Sequence, residues 1–217
     1  KPLVGFWERV LNYFGFTSFS LYTDGFGLFQ NATAGLFLFL VGITTAISFS
    51  KYGKNFFEKS LRRSTRIFLY ALLVTLFTFI FFREQFVFFG VLHLIATASL
   101  LSIPLAGKKI ENILLGGFFI LTPIFFDLRS IGIAKFAWLG FSAPLPTLDF
   151  FPVFPWFGLI LLGIAFGNYF YVKKEPKEKT QNELTKILVF FGRNSLFIYF
   201  IHQPILFALI FLFSIII

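Results

Sequence analysis

Six apolar runs, at about 28–50, 67–82, 86–106, 110–126, 153–172 and from 195 to the end, constrain this chain more than any other feature of it. Most approach or exceed the ~17–20 residues that an α-helix needs to cross a hydrocarbon core about 30 Å thick. Within such a core backbone N–H and C=O groups have no water to bond, so runs of this length are helices. A mean hydropathy of +0.83 with only 13% charged residues agrees. The expectation is an all-α polytopic transmembrane bundle of about six spans. No methionine occurs, not even at position 1, and a further span upstream of Lys1 is expected.

Charge orients the bundle. The segments 51–66, 107–111 and 173–194 carry 14 Lys and Arg against 5 acidic residues, so the whole net charge of +9 falls on alternate connections. The segments 1–27, 83–85 and 127–152 are neutral. By the preference of basic loops for the cytoplasm, the first set is cytoplasmic and the second external. The chain reads as one domain, 1–217, with an external aromatic loop at 127–152 and a cytoplasmic connector at 173–194. Topology alone accounts for the basic balance, so nucleic acid is not an implied partner. Without cysteine there is neither a disulfide framework nor a thiolate metal site, and no metal is expected from two histidines and scattered carboxylates.

Patterns for a nucleophile elbow, a P-loop, a zinc-binding HExxH or a dinucleotide fold are missing, so any chemistry comes from dispersed polar residues in the spans. Polar groups are costly there and suggest function by default. Ser195, Tyr199 and His202 share one helical face, and Pro204 opens the backbone a turn later beside Gln203. Gly90, His93 and Thr97 share a face of the third span, which places His93 about seven residues, ~10 Å, below its external end. Both histidines can then line one cavity, each as a neutral imidazole able to take up a proton; the plainer alternative is a pair of helix-to-helix hydrogen bonds. Arg193-Asn194, and likewise Arg62, Arg63 and Arg66, are either topology anchors whose charged ends reach for water or clamps for a phosphate. Asp127, Arg129 and Asp149 either pair together or receive a polar acceptor, and Asp149 can instead cap the approach to the fifth span. Pro152 and Pro155 introduce that span, and Trp156 is expected at the headgroup level.

Leu36-Phe-Leu-Phe-Leu-Val-Gly42, Phe89-Gly-Val-Leu-His93, Asp149-Phe-Phe-Pro-Val-Phe-Pro-Trp-Phe-Gly158 and Gly192-Arg-Asn-Ser-Leu-Phe-Ile-Tyr-Phe-Ile-His-Gln-Pro204 occur in this order. Together they resemble the membrane acyltransferases typified by heparan-alpha-glucosaminide N-acetyltransferase, including prokaryotic members. The resemblance implies transfer of an acetyl or other acyl group from acetyl-CoA to a hydroxyl or amine of a sugar-like or envelope acceptor, in a prokaryotic cell membrane. In that reading His202 or His93 takes the acceptor's proton and Asp149 orients the acceptor. Arg193, Asn194 and Arg66 meet the CoA phosphates, while Arg129, Trp156 and Gln203 contact the acceptor. The family's first helix, with its Asp-x-x-Arg-Gly type of motif and a following histidine, has no counterpart in the sequence. Two other classes stay open: a transporter or channel subunit, and a non-catalytic membrane partner. Self-association into a homo-oligomer is compatible with each.

Overall fold

Between Val153 and Phe170 nearly every side chain is apolar, so no face of that helix prefers water and it is driven into the middle of its neighbours. The computed structural model describes residues 24–81, 83–142, 147–172, 183–194 and 198. These are helical with no strand: α1 (Asp24–Tyr52), α2 (Phe56–Phe81), α3 (Val91–Leu101), α4 (Ile110–Phe125), α5 (Val153–Phe170) and α6 (Glu183–Arg193). The chain divides into two units, 1–174 with α1 to α5 and 175–217 with α6.

In the first unit α5 packs mainly against α1 and α4, and α2 packs against α3. Small residues set the closest approaches. A Cβ on Gly42 of α1 would collide with the Ile160 carbonyl oxygen and lie 2.8 Å from the Ile164 nitrogen; one on Gly158 would lie 2.7 Å from the Gly116 oxygen of α4. Glycine at such crossings lets backbones meet, as in packed membrane helices. Leu38, Ile160, Leu161 and Ile164 fill the interior. The Ser64 hydroxyl donates to the Ala96 carbonyl at 2.6 Å and ties α2 to α3. The side-chain amides of Asn112 and Asn168 donate to the Leu105, Ala106 and Lys108 carbonyls, holding the α3–α4 connection against α4 and α5.

The outside is apolar. Leu36, Phe37 and Leu40 on α1, Leu69, Leu72, Leu73 and Leu76 on α2, and Ile113, Leu114 and Phe118 on α4 are all exposed, a surface that suits lipid far better than water. Two helical stretches, Asn31–Phe81 and Val153–Phe170, are long and apolar enough to cross a membrane; α3 and α4 are apolar but shorter.

Two expectations need correction. The basic stretch 51–66 is not a linker: after the turn Gly53–Asn55, helix α2 begins at Phe56 and carries Lys59, Arg62, Arg63 and Arg66 on its first turns. Charge there marks the change of solvent, since Lys and Arg are good helix formers. The third apolar run is helical only over Val91–Leu101, because side chains from elsewhere capture the backbone before it. Trp156, in the first turn of α5, is 7% exposed and packs on the Phe151 ring at 4.8 Å. α5 starts where expected, at Val153, with Phe154 extended before Pro155, as residues before proline prefer. Segment 1–23 and the sixth run lie outside the described residues, apart from Ile198.

Candidate functional site

Polar side chains gather at the end of the bundle where α2 finishes and α3 begins. Two threonines of α2 hold Val87: Thr75 Oγ1 donates to its carbonyl at 2.8 Å, and Thr78 Oγ1 accepts its N–H at 3.0 Å. The end of the aromatic loop lies alongside, with Leu148 N–H donating to the Gln85 carbonyl and Phe151 N–H to the Phe89 carbonyl. Between these two bonds the Asp149 carboxylate accepts the N–H of Val91, the first residue of α3, at 2.9 Å. Glycine at 90 is required here, because any Cβ would collide with Asp149 Oδ2. A carboxylate suits a helix N-terminus through both its unpaired N–H groups and its partial positive charge.

His93 stands in the same first turn. Its Nδ1 accepts the Gly90 N–H at 3.4 Å, and Nε2 lies 3.4 Å from Thr75 Oγ1. A backbone N–H can only donate, so the neutral ring carries its proton on Nε2 and donates to Thr75, whose own hydrogen goes to Val87. The ring is 5% exposed, between Phe68 and Phe89 at centroid distances of 5.9 and 5.7 Å. His93 is therefore at the start of its helix and not two turns inside it, since 86–90 is not helical. Both nitrogens are engaged in holding the α2–α3 connection. Burial pushes the Asp149 carboxyl above the ordinary carboxylate value, and the Val91 N–H, which favours the ionised form, offsets part of that shift.

A second polar place lies at the opposite, basic end. Thr45 and Ser48 of α1, Lys59, Ser60 and Arg63 of α2, and Ser99 of α3 line a small recess together with Phe56. Phe56 sits edge-on to Phe49 at 5.2 Å, and the Lys59 ammonium lies 3.3 Å from the centre of the Tyr52 ring. Arg66 is exposed on α2 and is not part of this lining. Arg62, next to Arg63 in sequence, faces away and pairs with Glu58 at 2.6 Å.

Of the residues singled out from sequence, Asp149 and His93 share the turn that opens α3. Asp149 does not cap α5, the neighbour in sequence, but α3, across 58 positions. Arg129 lies partly buried in the turn Leu128–Ile131, and Trp156 one turn into α5. In the second unit Arg193 ends α6, and the Asn194 amide donates to the Phe190 carbonyl at 2.9 Å, closing its own helix. His202 and Gln203 lie outside the described residues. Thr75, Thr78 and, Arg63 apart, the lining of the basic recess were not singled out, although two threonines three apart in an apolar run are a signal of a polar helix face. Among the described residues no three of His, Asp and Glu gather where a metal ion could sit.

The model of the family described as heparan-alpha-glucosaminide N-acetyltransferase, catalytic, matches residues 7–204. The chain belongs to this family. The match takes in both polar places and the 192–204 motif, and it makes the chain a member of a group of membrane acetyltransferases. No curated protein and no solved structure matches the chain.

Proposed function

We propose that the protein is an integral membrane acyltransferase that moves an acetyl group from acetyl-CoA to a hydroxyl or amine of a sugar-like acceptor of the cell envelope. The family match over residues 7–204 carries this reading. The charge asymmetry supports a bundle of six spans with its basic end in the cytoplasm, where a soluble nucleotide donor arrives, and the Asp149 end outside. In the transfer the acceptor's oxygen or nitrogen bonds to the acetyl carbon, the thioester C–S bond breaks, CoA leaves as the thiolate, and the acceptor's proton passes to a base, which hands it on to the departing sulfur.

His202 is the better base of the two histidines, because Nδ1 of His93 already accepts the Gly90 N–H and its Nε2 faces Thr75. His93 then acts as a positioning residue, keeping the α3 N-terminus and Asp149 in register. Asp149, Arg129, Trp156 and Gln203 are assigned to the acceptor, and Arg193, Asn194 and Arg66 to the CoA phosphates.

A positioned base contributes ~10²–10⁴-fold to such a step, whereas loss of a hydrogen bond between membrane helices averages only ~0.6 kcal/mol. His202→Ala should therefore lower acetyl transfer from labelled acetyl-CoA by at least a hundredfold at matched folded amount. Activity within about threefold of wild type would overturn the role given to His202.

A further inference from the structure

The recess at the basic end joins three helices, and its hydroxyls divide into two kinds. Thr45 Oγ1 donates to the Val41 carbonyl at 2.8 Å and Ser99 Oγ to the Ile95 carbonyl at 2.7 Å, so both turn lone pairs toward the recess. Ser48 and Ser60 make no hydrogen bond among the described residues, and each keeps a donor to offer. Lys59 and Arg63 have no carboxylate within ion-pair distance among the described residues, although Glu58 is only one position from Lys59 and is taken by Arg62.

Two like charges on successive turns of one helix repel, so an arrangement of this kind gains most from an occupant carrying about two negative charges. A phosphomonoester carries roughly −1.5 to −2 at neutral pH, with three strong acceptor oxygens. A carboxylate or a phosphodiester brings only one charge. Guanidinium grips two phosphate oxygens in a fork, while an ammonium acts as a point charge. The two serine hydroxyls add neutral donors, and Tyr52 holds the Lys59 ammonium in place through its ring face.

We propose that the recess bounded by Ser48, Lys59, Ser60 and Arg63 is a phosphomonoester-binding site. Resting on the acyltransferase reading, its occupant is the phosphomonoester that CoA carries on its ribose. The same chemistry is available from the headgroup of phosphatidic acid, so both sources enter the test.

The full chain is placed in phosphatidylcholine nanodiscs, and binding of CoA and dephospho-CoA, which differ only in that phosphomonoester, is measured by calorimetry. Wild type should prefer CoA by about tenfold or more, as expected when two charge-assisted contacts depend on one group. Lys59→Gln/Arg63→Gln should abolish the preference, and Arg62→Gln, with its pair facing Glu58, should keep it. In a second arm phosphatidic acid replaces part of the lipid. A rise in melting temperature seen in wild type and lost in the double variant, with no preference for CoA, retains the site and overturns its assignment to the donor. Equal binding of both nucleotides together with no response to phosphatidic acid overturns the site itself, as does persistence of either preference in the double variant. Should the double variant not unfold cooperatively, Lys59→Gln and Ser48→Ala singly serve the same comparison. A protein that shows the CoA preference yet transfers no acetyl group separates failure of the acyltransferase reading from failure of the site.

Discussion

Replacing Gly42 by alanine places one methyl group in the seam between α1 and α5, where it has nowhere to go. The new carbon would lie 2.8 Å from the Ile164 nitrogen and 2.9 Å from the Gly163 carbonyl carbon, and closer still to the Ile160 oxygen. Contacts to carbon are optimal near 3.5–4.0 Å, so the two helices must part by roughly 0.7 Å or more. All three neighbours are backbone in mid-helix and cannot rotate aside. Overpacking of this kind costs ~1–3 kcal/mol, and alanine's better helix propensity returns at most about 1 kcal/mol. The net loss, about 1–2 kcal/mol, corresponds to a fall in melting temperature of roughly 2–8 °C for a chain of this size. The matched control is Gly117→Ala on α4, where a Cβ meets nothing within 4 Å and only propensity changes. Gly163→Ala opens the same seam, its Cβ lying 3.1 Å from the Gly42 Cα, so the double variant should cost less than the sum of the two singles. Thermal unfolding of purified protein, followed by circular dichroism, reads all four. If Gly42→Ala melts with Gly117→Ala, the close approach of α1 and α5 is wrong.

Asp149→Asn keeps an acceptor for the Val91 N–H but cannot ionise. Because the folded chain holds the Asp149 proton more tightly than the unfolded chain, wild-type stability should decline as pH rises from about 3.8 through the raised folded value, and the variant should lack that decline; identical pH profiles would refute it. Ser64→Ala, which removes the buried bond to the Ala96 carbonyl, should cost about 0.6 kcal/mol, read as a melting temperature shift of only a degree or two. A cysteine at Lys177 should resist an impermeant thiol reagent added outside intact cells while one at Lys135 reacts; the reverse pattern would invert the orientation.

How far the sequence could be read depended on whether the cause of a feature was local. Apolar runs placed α1, α4 and α5 within a few residues of their observed ends, because a helix of that composition has no competing structure. The run at 86–106 misled because apolarity does not by itself require a helix. Thr75 and Thr78 take the C=O and N–H groups of Val87, Asp149 takes the N–H of Val91, and these partners lie up to 58 positions away. The start of α2 was missed for the opposite reason: Lys59, Arg62 and Arg63 end the apolar pattern without ending the helix. In the candidate site, Asp149 and His93 were visible as polar residues in apolar surroundings, but their meeting at the first turn of α3 was not. Phe56, Ser60 and Arg63 stand at helical spacing that a reader could have found; that Thr45, Ser48 and Ser99 face them depends on how three helices pack.

The order of the helices along the chain has a consequence for biogenesis. α1 reaches the membrane before α2 to α5, yet the helix its glycine face receives is α5, centred about 120 residues later. At roughly 5–20 residues per second of synthesis, α1 waits on the order of ten seconds before its partner exists. During that interval Gly42 presents bare backbone to lipid or to whatever insertion factor is at hand. α2 and α3, neighbours in both sequence and space, can pair at once through Ser64 and Ala96. Ribosomes stalled before residue 153 should thus hold an α2–α3 pair beside an unpartnered α1, and the arrival of α5 is the event that turns separate inserted helices into a bundle.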